Sequence, residues 1–311
     1  MKLKKLGLIW AIGLQALAFS ASTQAAIQVL ACEPEWGALV GVLAGDKAKV
    51  FNATTAMQDP HHIQARPSLI AAARNADLIV STGAELEVGW LPILLRQSGN
   101  RAIQEGQLGN FEAADFVSKL EVPTRLDRAD GDVHAAGNPH VHTDPRNITV
   151  IAAALADRLA KLDPANASAY KVNHTAFASK WAAAIARWEA QAAPLRGVPI
   201  VVHHKAYPYL EKWLGLVQVG TLEPKPGVEP SSAHLSTLLS QQRQRGAALV
   251  IRSSYNDSKG ADWLAQRAGI PVVVLPNTVG GSEVAKDLFG LFDDTIQRLL
   301  VGAAAYKTTK P

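Results

Sequence analysis

The sequence predicts an α/β fold in two halves, each built on a parallel sheet and linked by one long helix. Three observations carry this. Short runs rich in Val, Ile and Leu alternate with segments that are apolar at helical spacing, which is the pattern of parallel α/β layers. The alternation occurs twice, from Ile27 to Gln97 and again from Pro199 onward. Between the two halves, Ala165 to Gln191 contains neither glycine nor proline, far longer than the average helix of about 11 residues. A rigid helix in mid-chain suits the joining of two lobes.

The elements follow in order. Ile27 to Cys32 reads as a strand, Glu35 to Leu43 as a helix stopped by Gly45, and Ala48 to Asn52 as a second strand. Pro67 to Ala76 is a helix with proline at its start, where the missing N–H costs nothing. Asp77 to Ser81 is a strand ending at Gly83, and Leu86 to Gln97 a helix. Residues 100–145 are irregular: Asp127, Asp130, Gly131 and Asp132 indicate a solvated loop, and Gly137, Pro139 and Pro145 break any helix. Asn147 to Leu162 is an amphipathic helix, and Asp163-Pro164 restarts the long one. The second half gives strands at Pro199 to His203, Leu216 to Thr221, Ala247 to Arg252 and Pro271 to Leu275. Helices at Tyr207 to Leu214, Ser232 to Arg245, Gly260 to Ala268 and Glu283 to Val301 separate and follow them, and Ala303 to Pro311 shows no apolar period. The expected division is 27–163 for the first lobe, 164–193 for the linking helix and 194–311 for the second lobe.

Residues 1–26 read as an export signal. Lys2, Lys4 and Lys5 precede an apolar run, Leu6 to Phe19, and a small-residue stretch with a Thr23-Gln24-Ala25 cleavage pattern. The run is short for a bilayer span. Removal leaves about 285 residues, enough for two domains with real cores, and lowers the formal charge from +4 to about +1. No Lys/Arg cluster with interleaved aromatics remains, so nucleic acid is not an expected partner. The single cysteine, Cys32, cannot form an internal disulfide; Leu30-Ala31-Cys32 resembles a lipid-attachment site, but its place in a strand favours a buried core thiol.

Nine histidines stand at positions 61, 62, 134, 140, 142, 174, 203, 204 and 234. Three settings differ from the rest: Asp59-Pro60-His61-His62, the run Asn138-Pro139-His140-Val141-His142-Thr143-Asp144-Pro145, and His203-His204-Lys205-Ala206-Tyr207. All three lie at strand ends or in proline-bounded loops, where α/β proteins place ligand sites. Imidazole suits zinc, copper, iron and nickel, whereas manganese prefers carboxylate-rich sites. Histidines this far apart in sequence do not by themselves define a centre.

Longer segments do. His61 with Arg66-Pro67-Ser68, Pro139-His140 with Asp144-Pro145, and His204-Lys205-Ala206-Tyr207-Pro208-Tyr209 occur in an order that resembles the metal receptors of ABC-type zinc and manganese uptake systems. Gly83 to Leu91, with Glu87 and Trp90, is similar to a G-x-x-x-E-x-W-L segment of that family, and Glu229-Pro230-Ser231 to its E-P-S segment. The likeness covers essentially the whole chain after the signal. It implies two α/β lobes joined by a long backbone helix, with a divalent ion held in the cleft between them. His61, His140 and His204 are then the expected ligands, for Zn2+ in preference to Mn2+ or another divalent transition metal. The same resemblance implies a periplasmic solute-binding protein that acts as a monomer with an ABC-type permease in the inner membrane, and no catalytic residues. A periplasmic zinc chaperone is the alternative, and a zinc-dependent hydrolase a more distant one, since no H-E-x-x-H is present.

One departure concerns the fourth ligand. Where the family commonly has an aspartate after the last strand, this chain reads Leu275-Pro276-Asn277, and Arg252-Ser253-Ser254 offers no acid either. Water, Asn277, Asp59 and Glu223 are the alternatives. His62 and His203 are expected to point away from the ion, because neighbours in extended chain alternate faces. His134 and His142 are expected as solvated loop histidines, with recruitment of metal at the cleft mouth the alternative, His174 and His234 on the surface, and Glu229 as a loop or cap residue.

Overall fold

The computed structural model describes residues 25–125, 131 and 133–309. The export segment up to Gln24, and the loop acids Asp127, Asp130 and Asp132, lie outside the described residues.

Two four-stranded parallel sheets form the two lobes. The first has the order β2-β1-β3-β4, with β1 Ile27–Ala31, β2 Ala48–Asn52, β3 Leu78–Ser81 and β4 Asn110–Glu112. The second has the order β6-β5-β7-β8, with β5 Pro199–Val202, β6 Val217–Thr221, β7 Leu249–Ser253 and β8 Val272–Leu275. The orders correspond strand for strand, so each sheet presents the C-terminal ends of its central strands at one edge, where ligand loops gather.

Helices α1 Pro34–Ala44, α2 Pro67–Asn75, α3 Leu91–Ser98 and α4 Pro145–Leu162 belong to the first half. Each has proline in its first turn, the one helical position that needs no N–H. The second half carries α6 Pro208–Leu214, α7 Ser232–Arg245, α8 Lys259–Ala268 and α9 Leu288–Thr309. Glycines in the left-handed region, Gly215, Gly246 and Gly269, terminate α6, α7 and α8.

The linking helix α5, Ala167–Gln191, has 25 residues and so spans about 37 Å at 1.5 Å per residue. Its buried side, Tyr170, Phe177, Trp181, Ala184 and Trp188, recurs every three, four or seven residues. It packs against α1 and α4 of the first lobe and α9 of the second. Trp181 meets Trp188, Phe289 and Phe292 edge-on. One apolar cluster runs from Val29 and Trp36 through Trp181 to Ile251 and Leu299, so the lobes share a continuous core.

Three elements differ from the sequence expectation. The Leu86 helix begins only at Leu91, because Ala84 and Glu85 take positive φ (49° and 67°) and the chain turns repeatedly up to Trp90. The final helix begins at Leu288, where the Asp287 carboxylate accepts the Gly290 N–H at 2.8 Å, and it continues through the tail to Thr309. The short strand β4, three residues within the irregular region, carried no alternation long enough to read. Cys32 is fully buried, as a core thiol should be.

Candidate metal centre

Each of the three histidine segments is built by local chemistry. At the first, the Asp59 carboxylate closes an Asx-type turn: its Oδ1 accepts the His61 backbone N–H at 3.0 Å and faces ring Nδ1 at 2.7 Å. The Trp90 indole donates to the Pro60 carbonyl at 2.8 Å. A Cβ on Gly89 would lie 3.1 Å from the His61 carbonyl. The Gly89-Trp90 turn therefore clamps the backbone that presents His61.

At the second, Asn138 Oδ1 accepts the His140 N–H at 3.0 Å, and Thr143 Oγ donates to the His140 carbonyl at 2.9 Å. A single 3-10 turn, Val141–Thr143, leads into α4. Asp144 caps α4 through the Arg146 N–H and pairs with the Arg146 guanidinium at 2.7 Å. The Asn138 amide reaches across the cleft to the Lys205 carbonyl at 2.8 Å, and Tyr209 of α6 donates to the Asn138 carbonyl at 2.6 Å. The loop bearing His140 is thus tied to the second lobe at two points.

At the third, His204 follows β5, with Nδ1 2.7 Å from Glu223 Oε2. That same oxygen accepts the Gly227 N–H at 2.9 Å, so Glu223 holds its own loop while orienting the ring.

The three rings form a near-equilateral triangle, with centroid separations of 5.6 Å for His61 and His140 and 5.4 Å for each of the others to His204. One nitrogen from each lies within 4.8 Å of the other two, and all three residues are buried. His61 Nε2 and both ring nitrogens of His140 are buried with no hydrogen-bond partner. Burying such an atom costs about 1–3 kcal/mol unless something satisfies it. Asp59 and Glu223 each accept from an Nδ1–H, which fixes that tautomer and turns the Nε2 lone pair inward.

Electrostatics keep the centre ready for a cation. Burial lowers the His140 pKa well below the ordinary imidazole value, and His204, His61, His142 and His134 push it the same way. His140 is therefore neutral at neutral pH, with a lone pair free. For Asp59, burial would raise the pKa, but the His61 ring and backbone N–H hold it at about 2.

The remaining histidines separate by position. His134 stacks on His61 at 5.4 Å and lines a cavity of about 110 Å3 with His140, His204, Lys205 and Glu121. His142 is not at the mouth. It is buried, with Nε2 donating to the Asn277 carbonyl at 3.0 Å and Nδ1 3.3 Å from Glu35 Oε1. The 3-10 turn after His140 rotates it inward to bridge the lobes. His62 is exposed; His203 is buried, with Nε2 3.9 Å from Glu223. His174 is half-buried on α5, and His234 Nε2 meets the Thr221 carbonyl at 2.9 Å. Glu229 is exposed, and Ser231 supplies the α7 cap.

Of the fourth-ligand alternatives, Asp59 and Glu223 are engaged with ring Nδ1 atoms. Asn277 lies beside His142 and Tyr207 in a neighbouring pocket. The ring-orienting role of the two acids went unread in the sequence. For Asp59 the signal was present, an Asx residue two positions before a histidine; for Glu223 it was not, since that contact spans 19 residues.

Two α/β lobes on a shared helical backbone, with metal-type donors converging between them, define a solute-binding receptor of the metal-capturing class. The chain belongs to the family described as zinc-uptake complex component A, periplasmic, whose model matches residues 29–301. Similar curated proteins include the high-affinity zinc uptake system protein ZnuA of Paracoccus denitrificans, 25% identical over 73% of this chain and 76% of the relative. ZnuA of Bacillus subtilis is 26% identical over 78% and 75%. Among solved structures, a crystal structure of ZnuA superposes with a TM-score of 0.75 at 22% identity, covering 89% of this chain and 99% of the other. A ZnuA deletion mutant with zinc bound gives 0.71 at 21% identity, covering 92% and 99%.

Proposed function

We propose that this protein captures zinc in the periplasm through His61, His140 and His204 and releases it to an ABC-type permease. The observation that carries this reading is the buried triangle of imidazoles, with one nitrogen of each gathered within 4.8 Å and with His61 Nε2 and the His140 nitrogens left without a partner. Zinc–imidazole bonds are about 2.0–2.1 Å, so small side-chain adjustments bring the three nitrogens onto one ion. Three imidazole donors favour zinc over manganese, which prefers oxygen donors. The membership in a zinc-uptake family and the names of the relatives point the same way.

Asp59 and Glu223 act through the rings: they raise imidazole basicity and offset the charge of the ion without ligating it. Water from the His134-lined cavity completes the coordination. Both acids are bound to imidazole N–H groups and so are not placed as general bases, which supports a carrier over a zinc-dependent hydrolase. Residues 27–163 and 194–311 form the lobes about the 164–193 link, the 1–26 segment directs export, and the receptor acts as a monomer.

The test is metal analysis of the chain purified without added metal, repeated on a His61/His140/His204 triple alanine variant. Wild type is expected to hold zinc that the variant has lost, and His140→Ala alone to abolish tight binding while His174→Ala leaves it intact. Equal zinc in wild type and triple variant, measured as displacement by a competing chelator, rules out the assignment.

A further inference from the structure

A second group of donors lies away from the histidine triangle, at the C-terminal end of β1. Cys32, Glu33 and Glu87 are all buried, and one ligand atom from each lies within 4.8 Å of the other two. Glu87 is held by its loop, with Oε1 accepting the Thr82 N–H at 2.7 Å and Oε2 the Gly83 N–H at 3.1 Å. Glu33 Oε2 accepts from Thr82 Oγ at 3.1 Å, while Glu33 Oε1 is buried beside Glu87 with no N–H or hydroxyl donor, so that this carboxyl pair must share a proton when no cation is present. Glu33 is only 3% exposed.

This cluster is short of positive charge. The charged groups acting most strongly on the Cys32 thiol are four carboxylates, Glu33, Glu87, Glu112 and Glu35. Isolated buried charges are too costly to persist, so such a cluster either takes up protons or holds a cation. A thiol with two carboxylates is a donor set for a borderline divalent ion. On the cleft side of the cluster, His142 Nδ1 is 3.3 Å from Glu35, which stands two residues from Glu33 in the sequence.

We propose that Cys32, Glu33 and Glu87 form a second, structural binding site for a divalent transition metal, distinct from the histidine triangle. Uptake releases the Cys32 thiol proton and the proton carried by the Glu33–Glu87 pair. Two protons leave as one dication enters, and the net charge of the cluster is unchanged. With metal–sulfur bonds of about 2.3 Å and metal–oxygen bonds of about 2.0–2.2 Å, the donors close on the ion by about an ångström of movement. The ion would pin the end of β1 to the Thr82–Trp90 turn that supports His61.

Cobalt(II) reads the site directly, because a thiolate ligand gives it a near-ultraviolet charge-transfer band that imidazole ligands do not. The full chain is stripped with chelator and loaded with cobalt, once in the native state and once during refolding, since the cluster is fully buried. Wild type is expected to take up two equivalents and show the band. The His61/His140/His204 triple alanine variant should keep one equivalent and the band. Cys32→Ser should lose the band and one equivalent, and Glu33→Gln, which keeps the thiol and the acceptor for Thr82, should weaken the band if Cys32→Ser does not fold. Absence of the band in wild type after both loading routes overturns the proposal and leaves the cluster with protons only. A triple variant that binds as much band-free cobalt as wild type would instead sink the histidine assignment and leave this site standing.

Discussion

His61 and His204 each hold a carboxylate at 2.7 Å on Nδ1, while His140 has none. The asymmetry predicts graded effects. Asp59→Asn and Glu223→Gln keep an oxygen that can accept the Nδ1–H but remove its charge, and each should lower zinc affinity by about 10–100-fold, read by chelator competition. Protons compete with zinc for the same lone pairs, so affinity should fall as pH drops below the imidazole range. The buried carboxyls give a second pH effect, of opposite sense, on the metal-free protein. Burial first, then Glu87 and Glu35, raises the Glu33 pKa well above 4.5, and burial raises that of Glu87 to about 7. Groups raised in the fold bind more protons folded than unfolded. Their stabilisation is complete below the unfolded carboxyl pKa and is lost as pH climbs through about 7. In Glu33→Gln an amide N–H replaces the shared proton. Urea midpoints of stripped wild type should therefore decline relative to those of Glu33→Gln between pH 5 and pH 8, and parallel curves would contradict the shared-proton assignment.

At the scale of elements, the turn from Gly83 to Trp90 does more than join β3 to α3. Its Trp90 indole holds the Pro60 carbonyl, and its Glu87 accepts the Thr82 and Gly83 backbone N–H groups. Trp90→Phe keeps the buried ring and removes one hydrogen bond, a loss of about 1 kcal/mol. It should weaken zinc binding more than a conservative change elsewhere in the same core, such as Leu94→Met, when both are compared at equal stability. This turn also shows where the sequence was hard to read. Alternating strands, proline-led helices and the 25-residue α5 follow from periodicity and local backbone preference, and they were legible. The turn was read as the start of a helix because Leu86, Trp90 and Leu91 sit at helical spacing, and nothing local announces positive φ at Ala84 and Glu85. The site divides in the same way. His61, His140 and His204 stood out by their proline-bounded settings and a family-like order. The inward swing of His142 and the Glu223 contact depend on tertiary approach, and the buried cluster at Cys32 brings together β1 and a turn some fifty residues later.

For the whole molecule, the shared core limits what binding can do. Domains joined by a small polar interface are expected to hinge, but a large apolar interface resists it. Here a single cluster of buried side chains runs from β1 through α5 to α9. Hydrogen bonds behind the site also span the lobes: His142 to the Asn277 carbonyl, Thr278 to Glu35, and Ser254 Oγ to the Ala56 carbonyl at 2.9 Å. Opening the cleft widely would have to expose Trp181, Trp188 and Phe292 or strip those buried polar groups of partners, each of the latter costing about 1–3 kcal/mol. Capture should therefore order the loops rather than swing the lobes. Zinc is expected to slow amide exchange at residues 54–62, 133–144 and 203–206, to leave α5 unchanged, and to leave the small-angle scattering profile nearly superposable on that of the stripped protein. A marked compaction on zinc binding, with exchange changes in α5, would mean that the core between the lobes yields. The permease would then have to distinguish loaded from empty receptor by domain angle; with a rigid core it must read the loops around the cleft mouth, where His134, Glu121 and Lys205 lie.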